Sequence, residues 1–199
     1  LAIHANGDAA IDNVINAYRL AQAEHPREDA RLIVIHSQMA RDDQLDAMKE
    51  LGITPSFFSA HTYYWGDRHR DIFMGPERAA RMSPAKSAEE RGLRYSVHLD
   101  SPVVPMDPML LVWSTVNRVT SSGKVIGPEQ RVSPMAALRA VTIDAAWQVF
   151  LEDNRGSLEA GKWADMIVLS ADPLTNPEQI RDIKVLETIV GGRSIYLAK

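Results

Sequence analysis

Three side chains in this 199-residue sequence have the types and the placement to act together on a bound ion. His4, His36 and Asp100 each close an apolar run: Leu1-Ala2-Ile3 precedes the first, Leu32-Ile33-Val34-Ile35 the second, and residues 93–99 the third. Two imidazoles and a carboxylate are competent ligands for zinc or a similar divalent ion. An aspartate beside a metal-held water can also take its proton. His4 and His36 stand too far apart for a local finger-type site, and their spacing suits two consecutive strands joined by one helix. Each residue alone has a plainer reading. A histidine after a strand is commonly structural, and Asp100-Ser101-Pro102 is good turn chemistry. Three ligand-type residues at three strand ends favour the chemical reading.

The elements that must position them emerge from periodicity. Asp8 can cap a helix over 9–24 with Ile11, Val14, Ile15, Tyr18 and Ala21 on one face, stopped by Pro26. Residues 31–36 form a continuous apolar, β-branched run, as a strand covered on both faces should. Next come a helix over 41–51 ending at Gly52, a strand over 53–58, a short helix over 84–91 and a strand over 93–99. Residues 59–83 read as a long irregular stretch rich in aromatics and charges. Helices are expected over 108–119 and, opened by Ser133-Pro134, over 134–150. Strands at 165–170, 183–190 and 194–198, the last two joined by Gly191-Gly192, predict a small antiparallel portion. Strand–helix alternation predicts a parallel sheet. The fold class is α/β, and its four strand–helix units are half of an eight-unit barrel, whose polar strand ends form the reactive face. The boundary between barrel part (1–154) and β part (155–199) falls near Gly156.

Composition sets limits. Apolar residues make up 45% and charged residues 24%, ordinary for a globular protein. A net charge of −4 argues against a nucleic-acid partner. No apolar run is long enough to cross a membrane. The lack of cysteine removes disulfides, thiolate metal sites and a cysteine nucleophile, and fits a cytoplasmic location. The sequence opens with Leu1 inside an apolar run, without a signal peptide, and so reads as a piece of something longer.

Several segments carry a family resemblance. They are His4-Ala5-Asn6-Gly7-Asp8, Ile35-His36-Ser37-Gln38, Leu99-Asp100-Ser101-Pro102, and the most specific, Gly156-Ser157-Leu158-Glu159-Ala160-Gly161-Lys162-Trp163-Ala164-Asp165. Thr188-Ile189-Val190-Gly191-Gly192-Arg193 resembles a closing hairpin. Together they resemble the amidohydrolase superfamily, in the branch of N-substituted formamide deformylases and D-aminoacylase-like enzymes. Ile35 stands where the family has glutamate, and Leu99 where it has serine. The resemblance implies strands five to eight of a (β/α)8 TIM-type barrel, plus strands of a small flanking β-sandwich. It implies His4 and His36 as metal ligands and Asp100 as ligand and proton shuttle. It implies one or two Zn2+ per complete site and hydrolysis of a non-peptide C–N bond in a small amide or cyclic amide. The family's strand-one His-x-His and its strand-four ligand are not in this chain, which predicts an oligomer or association with a missing N-terminal half.

His61 resembles a strand-seven histidine that contacts substrate, and reads equally as an exposed loop histidine. Tyr63, Tyr64 and Trp65 could line a pocket or serve packing. By strand alternation His98 shares a side with Asp100, as a second-shell partner or a barrel-interior residue. Arg118 and Arg131 read as solvent or salt-bridge residues. The competing function is a catalytically incomplete half-barrel acting only through assembly. A phosphate-binding barrel is disfavoured, since no glycine-rich loop carries a basic residue at a helix start.

Overall fold

The apolar runs pair with one another. β1 (Ala2–Ala5), β2 (Leu32–His36), β3 (Ile53–Phe57) and β4 (Ser96–Val97) form a parallel sheet in sequence order. These elements belong to a computed structural model that describes residues 1–199. The register is level: His4 lies opposite Ile35, Ile35 opposite Ser56, and Ser56 opposite Ser96. α1 (Asp8–Glu24) buries Ile11, Val14, Ile15 and Tyr18, the face expected from the 3.6-residue period. Tyr18 also donates its hydroxyl proton to the Ile33 carbonyl at 2.9 Å, fastening α1 to β2. α2 (Asp42–Leu51) buries Leu45 and Met48 and ends on left-handed Gly52.

Most of residues 59–83 are helical, not irregular. They form α3 (His61–Arg68), a single π-helical turn (His69–Phe73) and α4 (Pro76–Ala80). Neither α3 nor the π turn has a side-chain cap for a sequence reading to find. α3 is held instead from 50-odd residues away: the Asp67 carboxylate accepts from the Thr120 and Ser122 hydroxyls, at 3.1 and 2.8 Å. α5 (Ala85–Glu90) leads to β4, where pairing covers only Ser96–Val97 of the expected longer strand. As the last strand of the sheet, β4 has a partner on one side only.

α6 (Pro108–Asn117) is capped by Asp107, which accepts from the Leu110 amide at 3.0 Å, and is buried along nearly its whole length. The single helix expected over 134–150 is two. α7 (Pro134–Val141) and α8 (Ile143–Gln148) break at Thr142, which leaves helical geometry with φ −123° and ψ −96°. The β-branched run Val141-Thr142-Ile143 is a weak place in a helix. β5 (Met166–Leu169), β6 (Val185–Val190) and β7 (Arg193–Leu197) form a separate antiparallel sheet. The 3-10 turn Pro177–Asp182 docks this portion on α6: the Trp113 indole donates to the Glu178 carbonyl at 2.8 Å, and Ile180 is fully buried. No helix is long and apolar enough to cross a membrane.

Arg118 is neither a solvent residue nor a salt-bridge residue. It is 2% exposed and donates to four backbone carbonyls, those of Ile126, Ser83, Ala80 and Met82, at 2.7–3.2 Å. Burial pushes its guanidinium down to about 10, still cationic at neutral pH. Ser83 in turn donates its amide to the Gln38 carbonyl at 2.7 Å, so the cage ties the segment before α5 to the loop after β2.

Replacing fully buried Ile11 by alanine should cost about 2–5 kcal/mol of stability. Replacing Ser133, whose hydroxyl caps α7, should cost only about 1 kcal/mol. Urea denaturation of the two variants checks the order, and a reversed order would contradict this placement of α1.

Candidate metal centre

Because the strands run parallel, all four leave the sheet on one side, and the loops at their C-terminal ends meet there. Five of the six histidines gather at this side: His4, His36, His61, His69 and His98. The His4 ring sits edge-on to His36 at 4.6 Å between centroids, and His98 lies 5.0 Å from His36. His36 Nδ1 and His98 Nε2 are 3.0 Å apart. His98 Nδ1 lies 2.9 Å from the Ser56 hydroxyl. One ligand atom each from His36, His98 and Asp100 fall within 4.8 Å of one another.

The backbone bends to make this cluster. His36, Ser37 and Asp100 all have positive φ, at 72°, 45° and 58°. For residues with a Cβ this conformation costs roughly 1–2 kcal/mol each. In a regular strand His36 would face away from Ile35 and its register neighbour Ser56. The left-handed turn swings its ring to the side of His98, where it is 4% exposed. Strain of this kind concentrates at functional sites.

Burial sets the protonation. Desolvation pushes His98 down to about 4 and His61 to about 3, with the nearby imidazoles adding repulsion. It also holds His36 and His69 below the usual imidazole range. These rings are neutral at pH 7, the form that binds metals.

Of the residues singled out from sequence, the structure brings His36, His98 and Asp100 together, with His4 beside them at the sheet edge. His4 is exposed, its Nε2 3.4 Å from the Asn6 amide nitrogen. His61 is partly buried on α3, not a free loop residue, with its ring 4.1 Å from Phe58 and 6.3 Å from His36. Trp65 joins the histidines, edge-on to His61 at 5.1 Å. Tyr63 points elsewhere, against Trp113 of α6 at 5.9 Å. Sequence reasoning missed His69, whose Nε2 lies 3.2 Å from the Gln38 side-chain nitrogen. His69 sits in the stretch that read as irregular. Gln38 lay within a motif already noted but had no role there.

Residues 1–196 match the amidohydrolase family. This chain belongs to that family. Among curated relatives it is 31% identical to the N-substituted formamide deformylase of Arthrobacter pascens, over 96% of this chain and 35% of the relative. It is 27% identical to the imidazolonepropionase of Streptococcus gordonii, over 71% of this chain and 29% of the relative. The amidohydrolase chain thus spans about a third of the length of these proteins. Among solved structures, an uncharacterized metal-dependent hydrolase from Pyrococcus furiosus superposes with a TM-score of 0.71 at 29% identity, covering 87% of this chain and 34% of that one.

The depressed histidines make the metal-free amidohydrolase chain acid-sensitive. Unfolded, their imidazoles titrate near 6.5. Folded, His98 and His61 stay neutral down to about 4 and about 3. Between those limits the unfolded chain binds the extra protons, so stability is full above about pH 6.5 and falls as pH drops toward 4. Urea midpoints measured across that range should decline, with a shallower decline in His98→Gln. An unchanged slope in that variant would contradict the buried, neutral state of His98.

Proposed function

We propose that this chain forms the metal-binding second half, strands five to eight, of an amidohydrolase barrel that cleaves non-peptide C–N bonds in small amides or cyclic amides. The observation that carries the reading is the convergence of His36, His98, Asp100 and His4 at one end of a parallel sheet. Residues 1–154 supply the barrel part and residues 155–199 the β-sandwich part. The outer edges of β1 and β4 carry unpaired backbone groups and are the natural places for the remaining barrel strands to add. That completes the site with ligands from a further segment or chain.

The donor set fits a divalent ion: the neutral imidazole of His36 has the Asp100 carboxylate within 4.8 Å and the His4 ring 4.6 Å away between centroids. Zinc suits this set best. His36 offers Nε2, since its Nδ1 faces His98. His4 and Asp100 complete this chain's share of ligands. Bound there, the ion would polarise the scissile carbonyl and lower the pKa of a water. Asp100 would be the residue that accepts the proton of the attacking water and returns it to the departing nitrogen. The open position of Asp100, at the rim and not in the core, gives it access to both. His61 and Trp65 flank the cluster and contact the substrate.

Asp100→Asn should lower kcat on N-acyl or N-formyl amides by about 10²–10⁴-fold in the assembled protein, the size of effect of general acid–base catalysis. His36→Ala should abolish zinc uptake measured by elemental analysis. A zinc-loaded assembled protein that hydrolyses no amide, or an Asp100→Asn variant of full activity, would overturn the reading.

A further inference from the structure

A line of part-buried and buried side chains leaves His36, crosses β4 and β3 through His98, Ser56 and Ser96, and ends on Gln148 of α8. From His36 Nδ1 it passes to His98 Nε2 at 3.0 Å, and from His98 Nδ1 to the Ser56 hydroxyl at 2.9 Å. From there it reaches the Ser96 hydroxyl at 2.8 Å, and then Gln148 Oε1 at 2.6 Å. The register of β3 on β4 sets the two serines side by side. Ser56, Ser96 and Gln148 are each 5% exposed. Buried polar groups of this kind must find partners, and here each finds one only along this line or at its ends.

Proton counting gives the line a direction. The Gln148 amide nitrogen donates to Thr54 Oγ1 at 2.9 Å and to the Pro55 carbonyl at 3.0 Å. A carbonyl only accepts, so the amide nitrogen is fixed on that side and Oε1 is fixed facing Ser96. Ser96 has one proton and must give it to Oε1. Its contact with Ser56 then requires Ser56 to donate. Ser56 has now spent its own proton, so His98 Nδ1 must carry the hydrogen between them. Above the ordinary imidazole pKa of about 6.5 a ring has one N–H, which leaves His98 Nε2 bare. The hydrogen in the 3.0 Å contact therefore belongs to His36 Nδ1. His36 Nε2 is left with a free lone pair.

We propose that Gln148, through Ser96, Ser56 and His98, is a positioning residue that fixes the tautomer of His36 and so presents Nε2 as the ligating atom. His98 is a link in this line and not a ligand: both of its nitrogens are engaged. The use of Nε2 rests on the metal reading given above, but the tautomer does not, and it can be read without metal.

The experiment is a long-range proton–nitrogen NMR spectrum of the histidine rings in the metal-free 199-residue chain at about pH 8, above the ordinary imidazole range. His36 and His98 should both carry their hydrogen on Nδ1. Gln148→Met keeps the volume and removes the terminal acceptor. It should move His36 toward the Nε2–H form and weaken Zn2+ binding by about tenfold or more, as loss of an outer-shell partner does. Ser96→Ala interrupts the line with a smaller change in packing, and should shift the same two rings even if Gln148→Met does not fold. Finding His36 as Nε2–H in the wild-type chain would overturn the proposal. So would unchanged tautomers in both variants. Tautomers as assigned, together with an assembled protein that takes up no Zn2+, would uphold the line and overturn the metal reading.

Discussion

A parallel sheet in register has one constraint that orders everything else here: all strands arrive at the same edge pointing the same way. The level row His4–Ile35–Ser56–Ser96 sets the heights of four strand ends at once. The residues at or just past those ends, His36, His98 and Asp100, then meet without any long-range search. A one-residue slip of any strand would turn its polar side chains to the helical side. Apolar packing of Ile11, Ile15, Leu45 and Met48 against the sheet holds the register, so the hydrophobic core acts on the site through alignment. Left-handed turns at His36 and Asp100 are offset by that packing.

What could be read from the sequence was what is local. The apolar run 32–35 and the 3.6-residue period of α1 each specify an element from a few neighbouring residues, and both stand where expected. Strand alternation also put His98 on the side of Asp100. It could not show that His98 meets His36, because the positive φ of His36 breaks the alternation that such a reading assumes. The helical character of 61–73 was hidden for a different reason. Its stabilising contacts come from Thr120 and Ser122, far along the chain, and its own sequence has no cap and mixed polarity. His69 stayed invisible with it. Ser56 and Ser96 carried a faint signal, as hydroxyls within otherwise apolar strands, but the meaning of that signal needed Gln148.

The most specific stretch of sequence, 156–165, lies outside the cluster. Its residues fold the junction between the two sheets. Gly156 has φ 92°, and a Cβ there would press on the Ile143 backbone and the Ala146 side chain. Lys162 donates to the Ser157 hydroxyl at 2.7 Å and pairs with Glu159 at 2.9 Å. Asp165 accepts from the Gly191 amide at 2.8 Å, closing the hairpin of β6 and β7. This stretch is thus architectural, while the proposed reacting groups sit on short, common motifs that only their arrangement distinguishes.

Arg118 and Arg41 show two ways to keep a guanidinium in a fold. Arg41 pairs on the surface with the carboxylates of Asp12 and Asp43, which acid neutralises and salt screens. The partners of Arg118 are carbonyl dipoles, which do not titrate, inside a region that counterions do not enter. Its cage is therefore indifferent to ionic strength and to mild acid. The loop behind β2 and the segment before α5 remain clasped under conditions that loosen the surface pairs, and part only when the interior itself opens.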